Sequence, residues 1–471
     1  MTTASSAPNG RPEGPNILLI MADQLAPHFT GTYGHPLVQT PHMDALAERG
    51  IRFDAAYVNS PLCAPARFSM LTGQAITKIG AYDNASEFPS QVPTLAHYLR
   101  LMGYRTCLSG KMHFVGPDQL HGFEERVTTD IYPADYARDN AARAVSGDNV
   151  QPFFMCASFI HPHDPYVARP EWWNLYDHDD IDMPRPVNLD DLDPHAARIR
   201  AGIDADAVEH TDEHVRNSRH GYYANTSYFD SWVGGLVATL EETEQLENTV
   251  VMVMSDHGDM LGERGNWFKM SFYERSARIP LIMAGPGVVQ GTASNVCSHL
   301  DILPTLLDIA SDGGEQPELG ADIDGRSLWE LATGGTDDVD ETTGEYTAEM
   351  TSHPMFMIRR GAHKYIHCDT DPPLLYNLAD DPEEEVNLVH DPDHFLMAAD
   401  FDTEVGERWD SKTIRSDVLE SQRARRTLNA AMTTGSLTSW DFQPDRDAAN
   451  EYVRNHMDWF DAGPRTRFPR L

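Results

Sequence analysis

Cysteine, proline and arginine alternate with alanine at Cys63, Pro65 and Arg67, inside the stretch Ser60-Pro61-Leu62-Cys63-Ala64-Pro65-Ala66-Arg67. Pro65 is comfortable in a first helical turn, where the N–H it lacks would have no intrahelical partner. With the thiol at or just before that turn, Arg67 returns its guanidinium to the same side of the helix four residues on. An anion held there would meet helix N–H groups and a fixed cation together. A buried cysteine beside a structural arginine uses the same residue types. The stretch therefore needs partners from elsewhere in the chain before it implies a reaction.

Two sets of partners are present. Asp23, Asp256 and His257 offer carboxylate and imidazole donors, with Gln24 as a neutral amide oxygen beside them. Such a set suits Ca2+, Mg2+ or Mn2+, and the imidazole tilts it toward Mn2+. Either aspartate alone reads equally well as a cap or turn residue. The second set is cationic: Arg67, Lys111, His113, His163 and Lys269. Lys111 and His113 are two apart, so an extended segment would send both side chains to one side, at one anion. The whole chain has five lysines, Lys78, Lys111, Lys269, Lys364 and Lys412. A sequence that nearly eliminates lysine keeps it at two of these positions, where a compact ammonium fits and a flat guanidinium does not.

The elements around these residues read as alternating buried strands and helices. Asn16–Ala22 is a continuous apolar run, a central strand buried on both faces, with Asp23-Gln24 at its carboxyl end. Pro41–Gly50 reads as a helix opened by Thr40 and closed by Gly50, and Ile51–Val58 as a strand leading to Cys63. Val92–Met102 is an amphipathic helix, followed by a strand at Tyr104–Ser109 that delivers Lys111. Phe153–Phe159 and Thr249–Met254 are further buried strands, ending near His163 and Asp256, and Pro280–Gly287 supplies another. Thr211 opens a long helix whose Val215, Tyr222, Thr226, Phe229, Val233, Leu236 and Leu240 share one face. The expected architecture is α/β, a large mainly parallel sheet sandwiched by helices. Asp23, Lys111, His163 and Asp256 each lie just past the carboxyl end of a different strand, the edge where open α/β sheets bind ligands.

After Leu328 the pattern changes. Thr333–Gly344 reads as a boundary loop, with short strands expected at Met355–Arg359, His363–Cys368 and Leu374–Leu378. Helical character returns around Val418–Met432. The implied organisation is a disordered N-terminus (1–15), a catalytic domain (16–335), a smaller C-terminal α+β subdomain with an antiparallel sheet (345–400), and a helical extension and tail (401–471).

The chain has 471 residues with 36 basic and 73 acidic side chains, a net charge of −37. That balance argues against nucleic acid or anionic membrane as partners. An acidic, lysine-poor, arginine-retaining surface matches a salt-loaded cytoplasm, where screening removes most self-repulsion. Met1–Pro15 lacks the basic and apolar blocks of a signal peptide, and no stretch is apolar enough to span a bilayer. Five scattered cysteines form no disulfide framework. The expectation is a cytoplasmic protein in which Cys107, Cys156, Cys297 and Cys368 fill the core and Cys63 alone has a chemical context.

C-x-P-x-R at Cys63–Arg67, the strand-terminal Asp23, Gly110-Lys111, the Asp256-His257-Gly258 turn and Leu375-Tyr376-Asn377-Leu378 with Asp381-Pro382-Glu383 together resemble the sulfatases of the alkaline-phosphatase superfamily. Tyr82-Asp83-Asn84, the run from Ser109 to Phe123, His161-Pro162-His163-Asp164-Pro165-Tyr166 and Gly258–Gly265 resemble the choline-sulfatase branch more specifically. That branch also has Gln and His where arylsulfatases have a second Asp and an Asn, matching Gln24 and His257. Two departures accompany the likeness. Ala66 replaces the serine common in the signature, and the link between Asp135 and Pro152 is shorter than the Trp-containing insertion of that branch.

The resemblance implies an alkaline-phosphatase-like fold and a sulfuric-ester hydrolase acting on a small alkyl sulfate such as choline O-sulfate. It implies that Cys63 is converted to formylglycine by a generating enzyme, then ligands one divalent metal, Ca2+ or Mn2+, and attacks sulfur. By the same resemblance Lys111, His163 and Lys269 bind sulfate and assist the leaving oxygen, while Arg67 and His113 steady the hydrate. Asn84, Glu349 and the tail acid Asp461 would face a cationic leaving group, and the tail would pack on a neighbouring subunit, implying a homo-oligomer. A formylglycine phosphonate-monoester or phosphodiester hydrolase is the alternative within the superfamily. A non-catalytic metal-binding protein, with Cys63 left as a thiol, is the alternative outside it.

Overall fold

The computed structural model describes residues 14–128, 151–207 and 210–436. Met1–Glu13, most of the link between Asp135 and Pro152, and Asp461 lie outside the described residues, and so do the expectations placed on them.

β1 (Asn16–Asp23) forms because Ile17-Leu18-Leu19-Ile20-Met21 offers only apolar side chains, and all five are fully buried. Its alternate residues enter two different cores. Leu18, Ile20 and Ala22 pack with Tyr222, Phe229, Val233 and Leu236 of the helix Asp212–Glu242. Ile17, Leu19 and Met21 share a core with Leu303, Leu306 and Leu307 of the helix Ile302–Ser311 and with Phe68 and Leu71 of the helix Cys63–Thr72. The sheet is the middle of three layers. Five fully buried side chains of this size contribute on the order of 10 kcal/mol, which offsets the several kcal/mol per ion that burying charge at the strand's end costs.

β2 (Ile51–Tyr57), β3 (Arg105–Gly110), β4 (Glu125–Arg126), β5 (Phe153–Pro162), β6 (Thr249–Ser255), β7 (Arg278–Ile279), β8 (Leu281–Ala284) and β9 (Gly291–Ser298) complete the nine-stranded sheet. Its order is β4-β3-β5-β1-β6-β8-β2-β7, with β9 on β2. From β4 to β6 every neighbouring pair is parallel. β8 runs antiparallel to both β6 and β2, and β2 is again parallel to β9. The expected mainly parallel sheet is present, with β8 and β7 as antiparallel members.

The long helix begins where expected: Thr211 accepts the His214 N–H, and its buried face holds every anticipated residue except the half-buried Val215. The helix Pro41–Arg49 corrects a local expectation. Thr40 stands at its N-cap position, but its hydroxyl bonds to Asp44. The cap comes from the long helix instead, where Asp230 accepts the His42 and Met43 N–H groups at 3.0 and 2.8 Å. Burial pushes the Asp230 carboxyl up to about 7, although those two donors pull it down.

A second, four-stranded antiparallel sheet follows in sequential order: β10 (Glu341–Tyr346), β11 (Met355–Arg360), β12 (His363–Cys368) and β13 (Asp371–Asn377). β10 occupies part of the expected boundary loop. Gly344 within it is required by close packing, since a Cβ there would lie 2.5 Å from the Phe272 ring. One face of this sheet, with Met355, Met357, Ile366 and Tyr376, belongs to the core shared with β1. The other, with Phe356, Ile358, Tyr365 and Leu375, is covered by Ala398, Phe401 and Val405 of the helix Phe395–Arg408, which the sequence reading did not anticipate. The last described helix, Ser411–Met432, contains the predicted segment.

Candidate active site

Neighbouring parallel strands end side by side, so whatever follows them is brought together. β1 ends in Asp23, β6 is followed by Asp256-His257, β3 by Lys111, and β5 by His163. The β1–β5 register shifts between Met21 and Asp23, so the chain leaves regular pairing where the site begins. Gln24 is left-handed, with φ of 67°.

β2 leads instead to the helix Cys63–Thr72, every residue of which is buried, with Cys63 as its first residue. Leu62 offers no side-chain cap. Asn84 provides one from another segment, its Oδ1 accepting the Ala64 N–H at 3.0 Å. This positions the thiol at the open end of the sheet, with Sγ 3.1 Å from His257 Nε2. In a formylglycine enzyme Sγ stands where a hydrate oxygen would be.

Asp23, Cys63, Asp256 and His257 each offer a ligand atom, and these four atoms lie within 4.8 Å of one another, all on buried residues. Asp23 Oδ1 is buried without a hydrogen-bond partner. Leaving such an oxygen unsatisfied costs about 1–3 kcal/mol, and a divalent cation among these donors would satisfy it. Two carboxylates, an imidazole and an oxygen from residue 63 are a suitable set for one hard or borderline ion.

Cations surround this group. Lys111 Nζ pairs with Asp23 Oδ2. Lys269 Nζ lies 3.0 Å from His163 Nε2 and also donates to Gln24 Oε1. His163 Nδ1 is 3.1 Å from Asp164 Oδ1. Lys269 is flanked by Phe268 and Met270, both left-handed with φ of 67° and 75°, a backbone that non-glycine residues adopt at a cost. His113 reaches the thiol by hydrogen bond, but with a left-handed φ of 61° it does so from irregular backbone past β3, not by the strand alternation with Lys111 that the spacing suggested.

Arg67 is drawn to the carboxylates of this group. It is fully buried, and its guanidinium donates to Asp256 Oδ2 at 2.9 Å, Asp23 Oδ2 at 3.2 Å, Ser158 Oγ at 2.8 Å and the Lys111 carbonyl at 2.5 Å. It braces the carboxylates from behind. Ser158, on β5, was not singled out from the sequence.

The resulting field favours negative charge at residue 63. Burial alone would raise the Cys63 thiol, but Lys111, Lys269 and His257, with the His113 hydrogen bond, hold it well below the usual range. Cys107 and Cys156, on each of which a single arginine acts, are pushed up to about 12 by burial. Burial also works against the Asp23 carboxylate, and the charges of Lys111, His163 and Arg67 overcome it and hold the group low, against the Cys63 charge. Lys111 is correspondingly held above its ordinary value, Asp23 and Cys63 outweighing its burial.

Glu349 is solvent-exposed, within electrostatic reach of the same centre. Desolvation raises its carboxyl, and the charges of Asp83, Cys63 and Lys269 all act on it. Asp83 in turn is clasped by Arg425 from the helix Ser411–Met432, through two hydrogen bonds of 2.6 Å. Sequence reasoning missed this link because a lone arginine in a polar helix carries no signal of its target.

Comparison with known proteins agrees with this geometry. A family profile described as sulfatase matches residues 15–312, one described as N-sulphoglucosamine sulphohydrolase, C-terminal, matches 262–409, and one described as choline sulfatase enzyme C terminal matches 416–468. The chain is 41% identical to a choline-sulfatase of Rhizobium meliloti (strain 1021), over 97% of this chain and 99% of the relative. It is 27% identical to an arylsulfatase of Clostridium perfringens, over 78% and 91% of the two chains. Among solved structures, one bound to its substrate D-glucosamine-2-N,6-O-disulfate superposes with a TM-score of 0.73 at 24% identity, covering 85% of this chain and 99% of its own. A phosphonate monoester hydrolase of Agrobacterium radiobacter superposes with a TM-score of 0.71 at 22% identity, covering 86% and 96%. These two likenesses establish a shared fold. With the sulfatase profile spanning the sheet that assembles Asp23, Cys63, Lys111, His163 and Asp256, and a full-length relative at 41% identity, the chain belongs to the sulfatase family and is a sulfuric-ester hydrolase.

Proposed function

We propose that this protein hydrolyses choline O-sulfate to choline and sulfate, with Cys63 converted to formylglycine. The observation that carries the reading is the extent of the likeness to a choline-sulfatase, 97% of the chain, together with the match of the choline-sulfatase C-terminal profile at 416–468.

Hydration of the residue-63 aldehyde yields two hydroxyls. One gives up its proton to solvent and attacks the sulfur of the ester; the S–O bond to the leaving group breaks, and the alkoxide takes a proton from the His163–Lys269 pair. The second hydroxyl then passes its proton to His113, which hydrogen-bonds residue 63, the C–O bond to sulfate breaks, sulfate departs, and the aldehyde is restored for rehydration by water. Lys111, Lys269 and His163 stabilise charge developing on the sulfuryl oxygens, and Arg67 keeps Asp23 and Asp256 in place. Asp23, Gln24, Asp256, His257 and residue 63 would hold one divalent ion, Ca2+ or Mn2+, which would supply Lewis acidity that lowers the nucleophile's pKa.

Glu349 supports a cationic leaving group, because its carboxyl lies within the electrostatic reach of Cys63 and Lys269. A quaternary ammonium would meet this carboxylate; by the resemblance Asn84 and the tail acid Asp461 would face it as well, and aromatic faces would add cation–π attraction. The remainder of the reading is a homo-oligomeric, cytoplasmic, salt-adapted enzyme matured by a formylglycine-generating enzyme. Its body spans 16–335, its subdomain 345–400 and its oligomerisation tail 401–471. Among the described residues no helix is long and apolar enough to cross a membrane.

The test is side-by-side turnover of choline sulfate, 4-nitrophenyl sulfate and a phosphonate monoester by natively produced protein, with mass spectrometry of the Cys63 peptide from the same sample. Choline sulfate should have the highest kcat/KM, and activity should track the aldehyde content. Faster turnover of the phosphonate, or full activity with an intact thiol, would overturn the reading.

A further inference from the structure

Lys269 and Glu349 come from segments far apart in the chain, and one helix that the sequence reading did not anticipate holds both. The helix Pro194–Gly202 starts at Asp193, whose carboxylate accepts the His195 and Ala196 N–H groups at 3.0 and 3.1 Å and the Tyr273 hydroxyl. His195 is buried, and its Nε2 donates to the Met270 carbonyl at 2.6 Å. Arg198 is three residues on and therefore on the same face. Its Nε donates to the Met350 carbonyl at 2.8 Å, and its two terminal nitrogens clasp Asp371 of β13. Met270 follows Lys269, and Met350 follows Glu349.

Both methionines are left-handed, with φ of 75° and 64°. An L residue holds that conformation at a cost, so it persists only where the surroundings over-determine it. The Met270 N–H donates to the Pro61 carbonyl at 3.2 Å, so Met270 is fixed on one side by the segment leading into Cys63 and on the other by His195. Met350 is gripped by Arg198, and the preceding carbonyl, that of Glu349 itself, accepts from the buried Tyr346 hydroxyl at 3.0 Å. The His195 ring packs edge-on against Tyr346, with centroids 5.9 Å apart, which joins the two grips.

We propose that the helix Pro194–Gly202 sets the separation between the Lys269 ammonium and the Glu349 carboxylate, with His195 and Arg198 as positioning residues. The enzyme thereby selects a sulfate ester by the distance from its leaving oxygen to its cationic group. The proposal rests on the reading in which Lys269 serves the leaving oxygen and Glu349 meets a cation. A carboxylate at a fixed separation discriminates by length, because a cation displaced by one methylene loses part of its Coulomb attraction. An ester without a cation does not engage it.

Three sulfate esters separate the reading from the proposal: choline sulfate, its homologue with one more methylene, and 3,3-dimethylbutyl sulfate, in which carbon replaces the quaternary nitrogen. In the wild-type enzyme choline sulfate should have the lowest KM; equal values for it and the uncharged ester would remove Glu349 from the leaving-group pocket, and the proposal with it. Arg198→Ala should raise KM for choline sulfate about 10- to 100-fold, the equivalent of one charge-assisted hydrogen bond, and erase the preference over the longer homologue. It should change kcat and KM for the uncharged ester by less than about threefold. Glu349→Gln should raise KM for choline sulfate by a similar factor in the wild type, and by less than about threefold in the Arg198→Ala background, since the two act as one unit. His195→Leu should instead lower kcat for all three esters about 10-fold, by freeing the backbone beside Lys269, and His195→Gln, whose amide can donate to the same carbonyl, should recover most of it. A wild-type length preference in Arg198→Ala, equal losses on charged and uncharged esters, a full Glu349→Gln penalty in that background, or no difference between His195→Leu and His195→Gln would overturn the proposal. If Arg198→Ala does not fold, Tyr346→Phe, which releases the Glu349 carbonyl, carries the same comparison.

Discussion

Arg67 Nε donates to Asp256 Oδ2 at 2.9 Å, and both side chains are fully buried. The same guanidinium reaches Asp23 and Ser158, so one residue of the nucleophile's helix ties together the ends of β1, β5 and β6. The arginine of the C-x-P-x-R pattern thereby sets where the Asp23 and Asp256 carboxylates stand relative to residue 63. Its planar fork matters here, because the bonds leave it in different directions.

Arg67→Lys keeps the charge and loses the fork. It should bind substoichiometric metal and show kcat/KM reduced at least about 100-fold, while Arg67→Ala should in addition lose about 3–5 kcal/mol of stability, the usual result of breaking a buried ion pair. Metal-to-protein ratio and denaturant unfolding check the two parts separately.

Chelation removes the group that would satisfy Asp23 Oδ1, which has no hydrogen-bond partner. Dialysis against a chelator should abolish turnover and lower the thermal midpoint. Ion at about 100 times its Kd contributes about 2.7 kcal/mol to the folded state. Titrating Ca2+ and Mn2+ separately into the stripped enzyme, with activity and midpoint as readouts, should identify which ion restores both.

Arg425 clasps Asp83, whose neighbour Asn84 caps the nucleophile's helix at Ala64. Arg425→Ala should lower kcat/KM about 5- to 30-fold, the equivalent of about 1–2 kcal/mol for a partly buried charge-assisted pair. Steady-state kinetics should show that Asp83→Asn in the Arg425→Ala background recovers part of this, since it removes the unpaired charge near Glu349. Salt should narrow the gap by screening that charge.

Lys364, fully buried on β12, pairs with Glu274 at 2.8 Å and Glu384 at 2.6 Å, joining the second sheet to the large domain. Burial works against the Glu274 carboxylate, but Lys364, Arg278 and Arg359 hold it at about 2, below its ordinary 4.5. A lowered acid contributes stability that is fully present above the unfolded value and lost as pH falls from about 4.5 toward 2. Glu384 is raised by burial despite Lys364, with the charge of Glu274 adding to the rise, so it takes the first proton. Lys364→Met should cost about 3–5 kcal/mol at pH 7 and flatten the acid limb. Urea unfolding at pH 7, 5 and 3.5 measures both effects.

What the sequence determined by itself is the set of strand ends. Continuous apolar runs before Asp23, His163 and Asp256 had to be buried strands, and parallel strands place their last residues along one edge, so that much of the site was legible from local pattern alone. The helix start at Cys63 was legible for the same reason, in Pro65 and its spacing to Arg67. The second sheet was legible only in part, because the Gly344-containing β10 takes its place by packing on Phe272. Tertiary structure decided which partner each polar group found. Arg67 turned to Asp256, 189 residues away; Asp230 capped a helix that Thr40 did not; and Arg198, whose neighbours in sequence announce nothing, became the donor to the Met350 carbonyl. A side chain's hydrogen-bonding capacity is written in its type, but in a buried site its partner is chosen by which distant segments the sheet order brings within 3 Å, and no local pattern encodes that order.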